Sequence, residues 1–512
     1  MTSHVKQIAK DASIVGGATL LSRVLGFFRD VIVAYVMGAG PAADAFYVAY
    51  RLPNMLRRLF AEGSMTMAFV PVFSQLRHEQ GDEAAFAMTR STLVWLLMIL
   101  GVVTALAMIF ARPITVMIAP GFVHDPELMD MTVGLVRIVF PYIIQISVVA
   151  LCMGALNSMG HFLTPALATS ELNTIVIIGA GVAWIFGLNV PHALAWAILV
   201  GGFGQMYMQH PSLRRFGFTW RGPWKLKDPG VIAMAKLMVP TVFGAAIYQL
   251  NIVFGTLLAS FLPTGSISAL YYADRLVQFP LGVFGTAVGT VALPSLSRLA
   301  ASGQIPEFKH TLNSSLRLTL FICLPATAGL IALAEPMVRV LFGRGAFTAQ
   351  AVAATTGALV AYAVGLPAFA CVRPLVSAFY GLTDTKTPVR IGVVCLLLNV
   401  GLGYLLMHRF QQAGLALATS LSSWANVLLL SRAMSKKIGK WSDMSRCLII
   451  SSGLSLLIGV CASLTVFNKW LALALILVWA VVYMALAALL RLEEATMFLD
   501  FLKRKVLSRI KS

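Results

Sequence analysis

Long apolar runs alternate with short polar segments along the whole chain. Residues 91–110 and 448–467 each give 20 positions without a charge, and 470–490 gives 21. A helix rises about 1.5 Å per residue, so roughly 20 such residues cross the ~30 Å hydrocarbon core of a bilayer. The same pattern, interrupted by prolines and a few arginines, predicts spans over 12–37, 43–76, 91–110, 129–156, 165–187, 192–212, 235–262, 267–297, 314–334, 349–380, 389–407, 413–431, 447–467 and 470–490. A transmembrane β-barrel would show alternating segments of ~10 residues instead. The expected fold is an all-α polytopic membrane protein of 14 transmembrane helices. The first apolar stretch is long and lacks a cleavage-site pattern, so it is expected to stay as a helix.

The pattern also repeats. A shift of about 223 residues places "YRLPN" (50–54) over "DRLVQ" (274–278) and "FVPVFSQL" (69–76) over "ALPSLSRL" (292–299). It also places "RPITVMIAPGF" (112–122) over "EPMVRVLFGRGAF" (335–347), Pro165 over Pro388, and "LRRFG" (213–217) over "SKKIG" (435–439). Constant order and spacing make these coincidences a repeat. Six spans per copy is an even number, so both copies insert the same way and the repeat is parallel. This predicts an N-terminal six-helix lobe over 1–222, a C-terminal six-helix lobe over 223–440, and an appended helix pair with a basic tail over 441–512. Two such bundles enclosing a central space are the architecture of alternating-access transporters.

Composition agrees with the apolar pattern. The chain has 512 residues, of which 59% are hydrophobic and 12% charged, against about 25% charged in ordinary soluble domains. The net charge of +19 would suggest nucleic acid in a soluble protein, but sorting the charges gives another account. Of 39 Lys and Arg, 26 fall in one set of alternate loops plus the termini, and five in the opposite set. The positive-inside rule therefore places both termini in the cytoplasm, and no nucleic-acid partner is expected. The six cysteines show no metal-binding or CxxC spacing and read as small packing residues.

With Lys236, Arg317 and Arg390 counted among the loops because they stand at the very ends of their spans, eight arginines remain inside the spans, six of them in spans 1, 2 and 8: Arg23, Arg29, Arg51, Arg57, Arg58 and Arg275. Charges at membrane depth are costly and usually face a cavity or a partner. Arg51 and Arg58 are seven apart and share a helix face, and Arg57 flanks it. Pro53 is expected to kink span 2, and Glu62 stands where it can pair with Arg58. Arg23 and Arg29 would need a bend at Gly26 to reach one cavity. Asp30 and Asp44 stand beside these arginines, Asp274 and Gln278 lie on span 8, and Arg373 precedes Pro374 in span 10. One Glu cannot neutralise three Arg, so the group wants an anion. Guanidinium forks bind pyrophosphate bidentately and stay charged when desolvated. Glu171 is a lone acid in span 5 without an assigned role.

Enzyme classes find no support. There is no GxxxxGK[ST] loop, no HExxH and no DxD cluster, so no catalytic residue, metal or cofactor is expected.

The segment "SRVLGFFRDVIVAYVMGAGPAADAFYVAYRLPNMLRRLFAEGSMTMAFVPVF" (22–73) resembles the start of the MurJ (MviN) family of lipid II flippases. "FPYI" (140–143), "YYADRLVQFPLGVFGTAVGTVALPSLS" (271–297) and "FYGLTDTKTPV" (379–389) resemble other blocks of that family. The family belongs to the multidrug/oligosaccharidyl-lipid/polysaccharide exporter superfamily. The resemblance implies two six-helix lobes plus two C-terminal helices that form a groove for a polyprenyl tail. It implies substrate-binding roles for Arg23, Arg29, Asp30, Asp44, Arg57 and Arg275; the places of Arg51, Arg58, Glu62, Asp274, Gln278 and Arg373 in the spans make them further candidates to line the cavity. Relatives often carry Glu where this chain has Gln278. The implied activity is movement of lipid II, an undecaprenyl-pyrophosphate-linked peptidoglycan precursor, from the cytoplasmic to the periplasmic leaflet of the bacterial inner membrane. The implied partners are lipid II, the bilayer and other cell-wall synthesis proteins. The alternative is export of another lipid-linked oligosaccharide, or multidrug/cation antiport, which would need a predominantly acidic cavity.

Overall fold

The computed structural model describes residues 3–58, 65–282, 286–441, 444–464 and 469–496. Every regular element among them is a helix. In chain order these are α1 (Ser3–Met37), α2 (Pro41–Leu56), α3 (Thr66–Gln80), α4 (Asp82–Ile109), α5 (Ala111–Ile118), α6 (Pro126–Val139), α7 (Tyr142–Ser158), α8 (Leu163–Ile185) and α9 (Val190–Arg215). There follow α10 (Pro229–Ala259), α11 (Ser266–Pro280), α12 (Thr286–Ala301), α13 (Ile305–Ala332), α14 (Ala334–Leu341), α15 (Ala349–Gly381), α16 (Lys386–Ile438), α17 (Ser445–Leu464) and α18 (Lys469–Leu489). Each expected span coincides with one of these helices, with a broken pair, or with one arm of α16, whose backbone leaves helical geometry at Gln411. Among the described residues, seven helical stretches are long and apolar enough to cross a bilayer. Their outer faces carry large apolar side chains such as Ile99, Val102, Ile109, Ile449, Leu456 and Leu464. Water would not tolerate so much exposed apolar surface, whereas lipid is its natural solvent. The chain is a multi-pass membrane protein.

Helix boundaries carry the repeat more sharply than the residues do. α4 and α13 are both 28 residues long, and α5 and α14 both eight. Their starts and ends lie 223 positions apart, as do the starts of α8 and α16 and the ends of α9 and α16. Span 2 is shared by α2 and α3 and span 8 by α11 and α12, with 59–64 and 283–285 lying outside the described residues. The expected kink at Pro53 falls inside α2, where the proline is buried. One boundary is not repeated. Phe140 and Pro141 separate α6 from α7, whereas α15 runs through the corresponding stretch with Pro367 and Pro374 inside it.

The chain packs as two compact units, one of 1–268 with 345–347, the other of 269–344 with 348–512. This differs from a division at 222/223, and the reason is α10. Its N-cap Asp228 accepts from Gly230 N at 2.8 Å and from Ser91 Oγ, on α4, at 3.2 Å. Gly230 lies against Met88 and Leu76. At the other end, Gly121 N donates to Ser260 Oγ at 3.0 Å. Both ends of α10 are thus tied into the first unit, where it packs on α3, α4 and α5. Residues 345–347 join that unit through Ala346 N, which donates to Tyr35 O at 2.8 Å. In the second unit, α17 packs on α13, and Arg317 of α13 bonds Glu493 at 2.9 Å and Glu494 at 2.5 Å beyond the end of α18.

Candidate functional site

α1 runs as one helix through Gly26, and six residues along a helix turn Arg23 and Arg29 about 600° apart, on different faces. Arg23 is exposed and Arg29 half-buried. A Cβ at Gly26 would meet Asn173 Nδ2 on α8 at 3.4 Å, an ordinary van der Waals contact. Asn173 reaches both neighbouring turns of α1. Its Oδ1 accepts from Arg29 Nη1 at 3.0 Å, and its Nδ2 donates to Ser22 O at 3.2 Å. Arg29 also donates to buried Asp30 Oδ1 through Nη2 at 2.6 Å and Nε at 3.0 Å. Arg29, Asp30 and Asn173 form one charge-assisted clasp between α1 and α8.

On α2, Arg57 donates through Nε and Nη2 to Asn54 Oδ1 at 3.1 and 2.8 Å. The three-residue spacing places the two side chains on adjacent turns. Arg51 and Arg58 are half-buried on the same element. Glu62, and with it the expected Arg58–Glu62 pair, lies outside the described residues. At the start of α2, Asp44 is buried and faces the first turn of α11. Its Oδ2 accepts from Gly265 N at 2.6 Å, and its Oδ1 accepts from Ser268 N and Ser268 Oγ, each at 2.7 Å. A carboxylate in that position satisfies N–H groups that a helix start leaves without partners, and it opposes the positive end of the helix dipole.

In the second unit, Arg275 of α11 donates through Nη2 to Tyr271 Oη at 2.8 Å, with its guanidinium 4.9 Å from that ring's centre. Gln278 Nε2 donates to Asp274 Oδ2 one turn earlier. A glutamate at 278 would set two carboxyl groups on consecutive turns; glutamine supplies a donor instead. Arg373 is exposed on α15.

The helix-local partners were readable from spacing alone: Asn54 three before Arg57, Tyr271 four before Arg275, Asp274 four before Gln278. Asn173 and Ser268 were not, because 144 and 224 residues separate them from Arg29 and Asp44. Asn54 and Tyr271 are neutral and orient the guanidinium groups. Asp30 acts on Arg29, and Asp44 acts on the 265–268 turn.

Comparison with known proteins supplies the context for this arrangement. A solved structure titled "Lipid II flippase MurJ, inward closed conformation" superposes with a TM-score of 0.80 at 28% identity, covering 93% of this chain and 98% of that one. An inward-facing multidrug resistance transporter of the MATE family in the MOP superfamily shares the fold, with a TM-score of 0.68 at 14% identity over 82% of this chain and 96% of its own. A Vibrio cholerae protein described as a probable lipid II flippase MurJ is 40% identical over 443 residues, 84% of this chain and 83% of its own length. The family profile described as "Lipid II flippase MurJ" matches residues 33–490. A match of that length, at a fold this similar, establishes that the chain belongs to the MurJ family.

Proposed function

We propose that this protein flips lipid II across the bacterial inner membrane, from the cytoplasmic to the periplasmic leaflet, by alternating access. The observation that carries the reading is the family match over 33–490. Its chemistry agrees with the arginines of α1, α2 and α11. Lipid II carries a pyrophosphate, and an arginine fork meets two phosphate oxygens at once. Arg57 and Arg275, each steadied by a neutral neighbour on its own helix, are the groups assigned to it, with Arg23, Arg51 and Arg58 adding positive charge nearby in sequence. No bond is made or broken, so the protein acts as a transporter rather than an enzyme. Fourteen crossings with both termini cytoplasmic complete the proposal, supported by the 26-to-5 division of basic residues between alternate loops. Other proteins of cell-wall synthesis are candidate partners.

The test is a leaflet-accessibility assay for lipid II in cells depleted of the protein. Lipid II should stay inaccessible from the periplasm and return on re-expression of wild type. Undiminished periplasmic lipid II after depletion would overturn the proposal. Single cysteines near Gly121 and Gly345 should label from the periplasm and those near Lys225 and Lys437 should not; the reverse pattern would reverse the direction of transport.

A further inference from the structure

The first unit holds an open groove of about 390 Å³, apart from the arginines assigned to the substrate. It lies between α7 and α9, near the end of α9 that carries Arg214 and Arg215. Buried Val148 and Cys152 of α7 form its floor. Phe203, Tyr207 and His210 of α9 form its wall, one helix face at intervals of four and three residues. That face is the exposed side of the helix: Trp196, Val200, Phe203 and Tyr207 all stand out, Tyr207 at 77% exposure. Trp220 closes the end. Its indole N–H donates to His210 Nδ1 at 2.5 Å with the rings stacked, and it meets buried Phe218 edge-on at 5.1 Å.

The closing loop is held in place from below. Buried Arg90 of α4 donates to Thr219 O at 3.2 Å and Pro223 O at 3.0 Å. Trp95 Nε1 donates to Leu226 O at 2.8 Å, and Lys225 N donates to Ser91 Oγ at 2.9 Å. The mouth of the cavity is therefore built in advance, which lowers the ordering cost of binding. Its volume lies within the range of small-molecule sites.

Charge selects the occupant. Between Glu171 and Asp228 there is no acidic residue, while Arg214, Arg215, Arg221, Lys225 and Lys227 all fall there. Arg214 is exposed one turn beyond His210 on the same face of α9, and Arg221 is exposed beside Trp220 in the chain. An apolar slot on a lipid-facing helix, ending in a rim where Arg214, Arg215, Arg221, Lys225 and Lys227 outnumber Glu83, the exposed partner of Arg90, fits a molecule with a hydrocarbon chain and an anionic head. We propose that this cavity holds one acyl chain of an anionic phospholipid of the cytoplasmic leaflet, with Arg214 and Arg221 at its phosphate. The lipid is a resident one, separate from the flipped substrate.

Native mass spectrometry of the full-length protein, titrated with phosphatidylglycerol or phosphatidylcholine in mixed micelles, tests this. Wild type should retain one phosphatidylglycerol in preference to phosphatidylcholine. Arg214→Gln/Arg221→Gln changes only exposed side chains. It should weaken phosphatidylglycerol retention about thirtyfold, taking ~1 kcal/mol per basic residue near an anionic surface. Cys152→Phe, which fills the floor, should lower retention of the lipid without altering charge. Equal retention of both lipids, unchanged retention in both variants, or displacement of phosphatidylglycerol by undecaprenyl pyrophosphate would each overturn the proposal.

Discussion

Asp44→Asn separates the substrate-binding role that the family resemblance implies from the structural one that the hydrogen bonds of Asp44 show. The carboxylate accepts three hydrogen bonds from the 265–268 turn, at 2.6, 2.7 and 2.7 Å. Asparagine keeps one acceptor oxygen. If that oxygen stays on Ser268, the new NH2 group faces the Gly265 N–H, donor against donor. The loss is one charge-assisted hydrogen bond, about 1.5–3 kcal/mol, and a negative charge at a helix start, about 0.3–1 kcal/mol. Together these come to about 2–4 kcal/mol. At the ~2–4 °C per kcal/mol observed for domains of 150–250 residues, melting should fall by about 4–16 °C. Asp44→Ala should fall further, because two backbone N–H groups then lose their acceptor. Ser268→Ala should fall less, since its N–H still reaches the carboxylate. The assay is thermal denaturation of the purified protein in micelles, run beside flipping in cells. An Asp44→Asn protein that melts with wild type and yet fails to flip lipid II would refute the reasoning and return Asp44 to the substrate.

Arg57→Ala should abolish flipping at normal membrane levels, and Arg57→Lys should recover only part of it, since an ammonium cannot fork across two oxygens; absence of the Ala variant from the membrane would favour a purely structural role. Asn54→Ala removes the orienting acceptor of Arg57 and should reduce flipping about tenfold, the equivalent of one hydrogen bond of ~1.4 kcal/mol, as read in the same assay. Asn173→Ala opens the clasp between α1 and α8 and should lower melting by the equivalent of about 1.5–3 kcal/mol. Asp384 caps α16 through Thr387 N at 3.0 Å and meets Lys437 Nζ at 2.6 Å. Burial pulls its carboxyl upward, but the Lys437 ammonium and the Thr387 donors more than reverse this and hold it well below the usual carboxylate range. A depressed value means the stabilisation is present above the ordinary aspartate pKa of ~3.9 and lost only as pH falls below it. Asp384→Asn should therefore destabilise equally at about pH 7 and pH 5, by no more than ~1 kcal/mol for so exposed a lysine partner.

Hydrophobic periodicity determined the helical class, the membrane setting and the places where helices run, because a helix in lipid must satisfy its own backbone and show apolar side chains outward wherever it goes. The internal repeat was also legible, and the equal lengths of α4 and α13 and of α5 and α14 agree with it. Partners within one helix, such as Asn54 for Arg57, follow from spacing by the same local rule. The tertiary structure decided the rest. Packing assigned α10 to the first unit through Ser91, Gly121 and Ser260, set Asn173 against Arg29 and Ser22, and pointed Asp44 at Gly265 and Ser268. Each of these depends on which helix faces which after folding. An aspartate before a helix reads the same in sequence whether it meets a phosphate-binding arginine or the bare N–H groups of a turn 224 residues away. Only the packed chain brings one of those partners within hydrogen-bond reach.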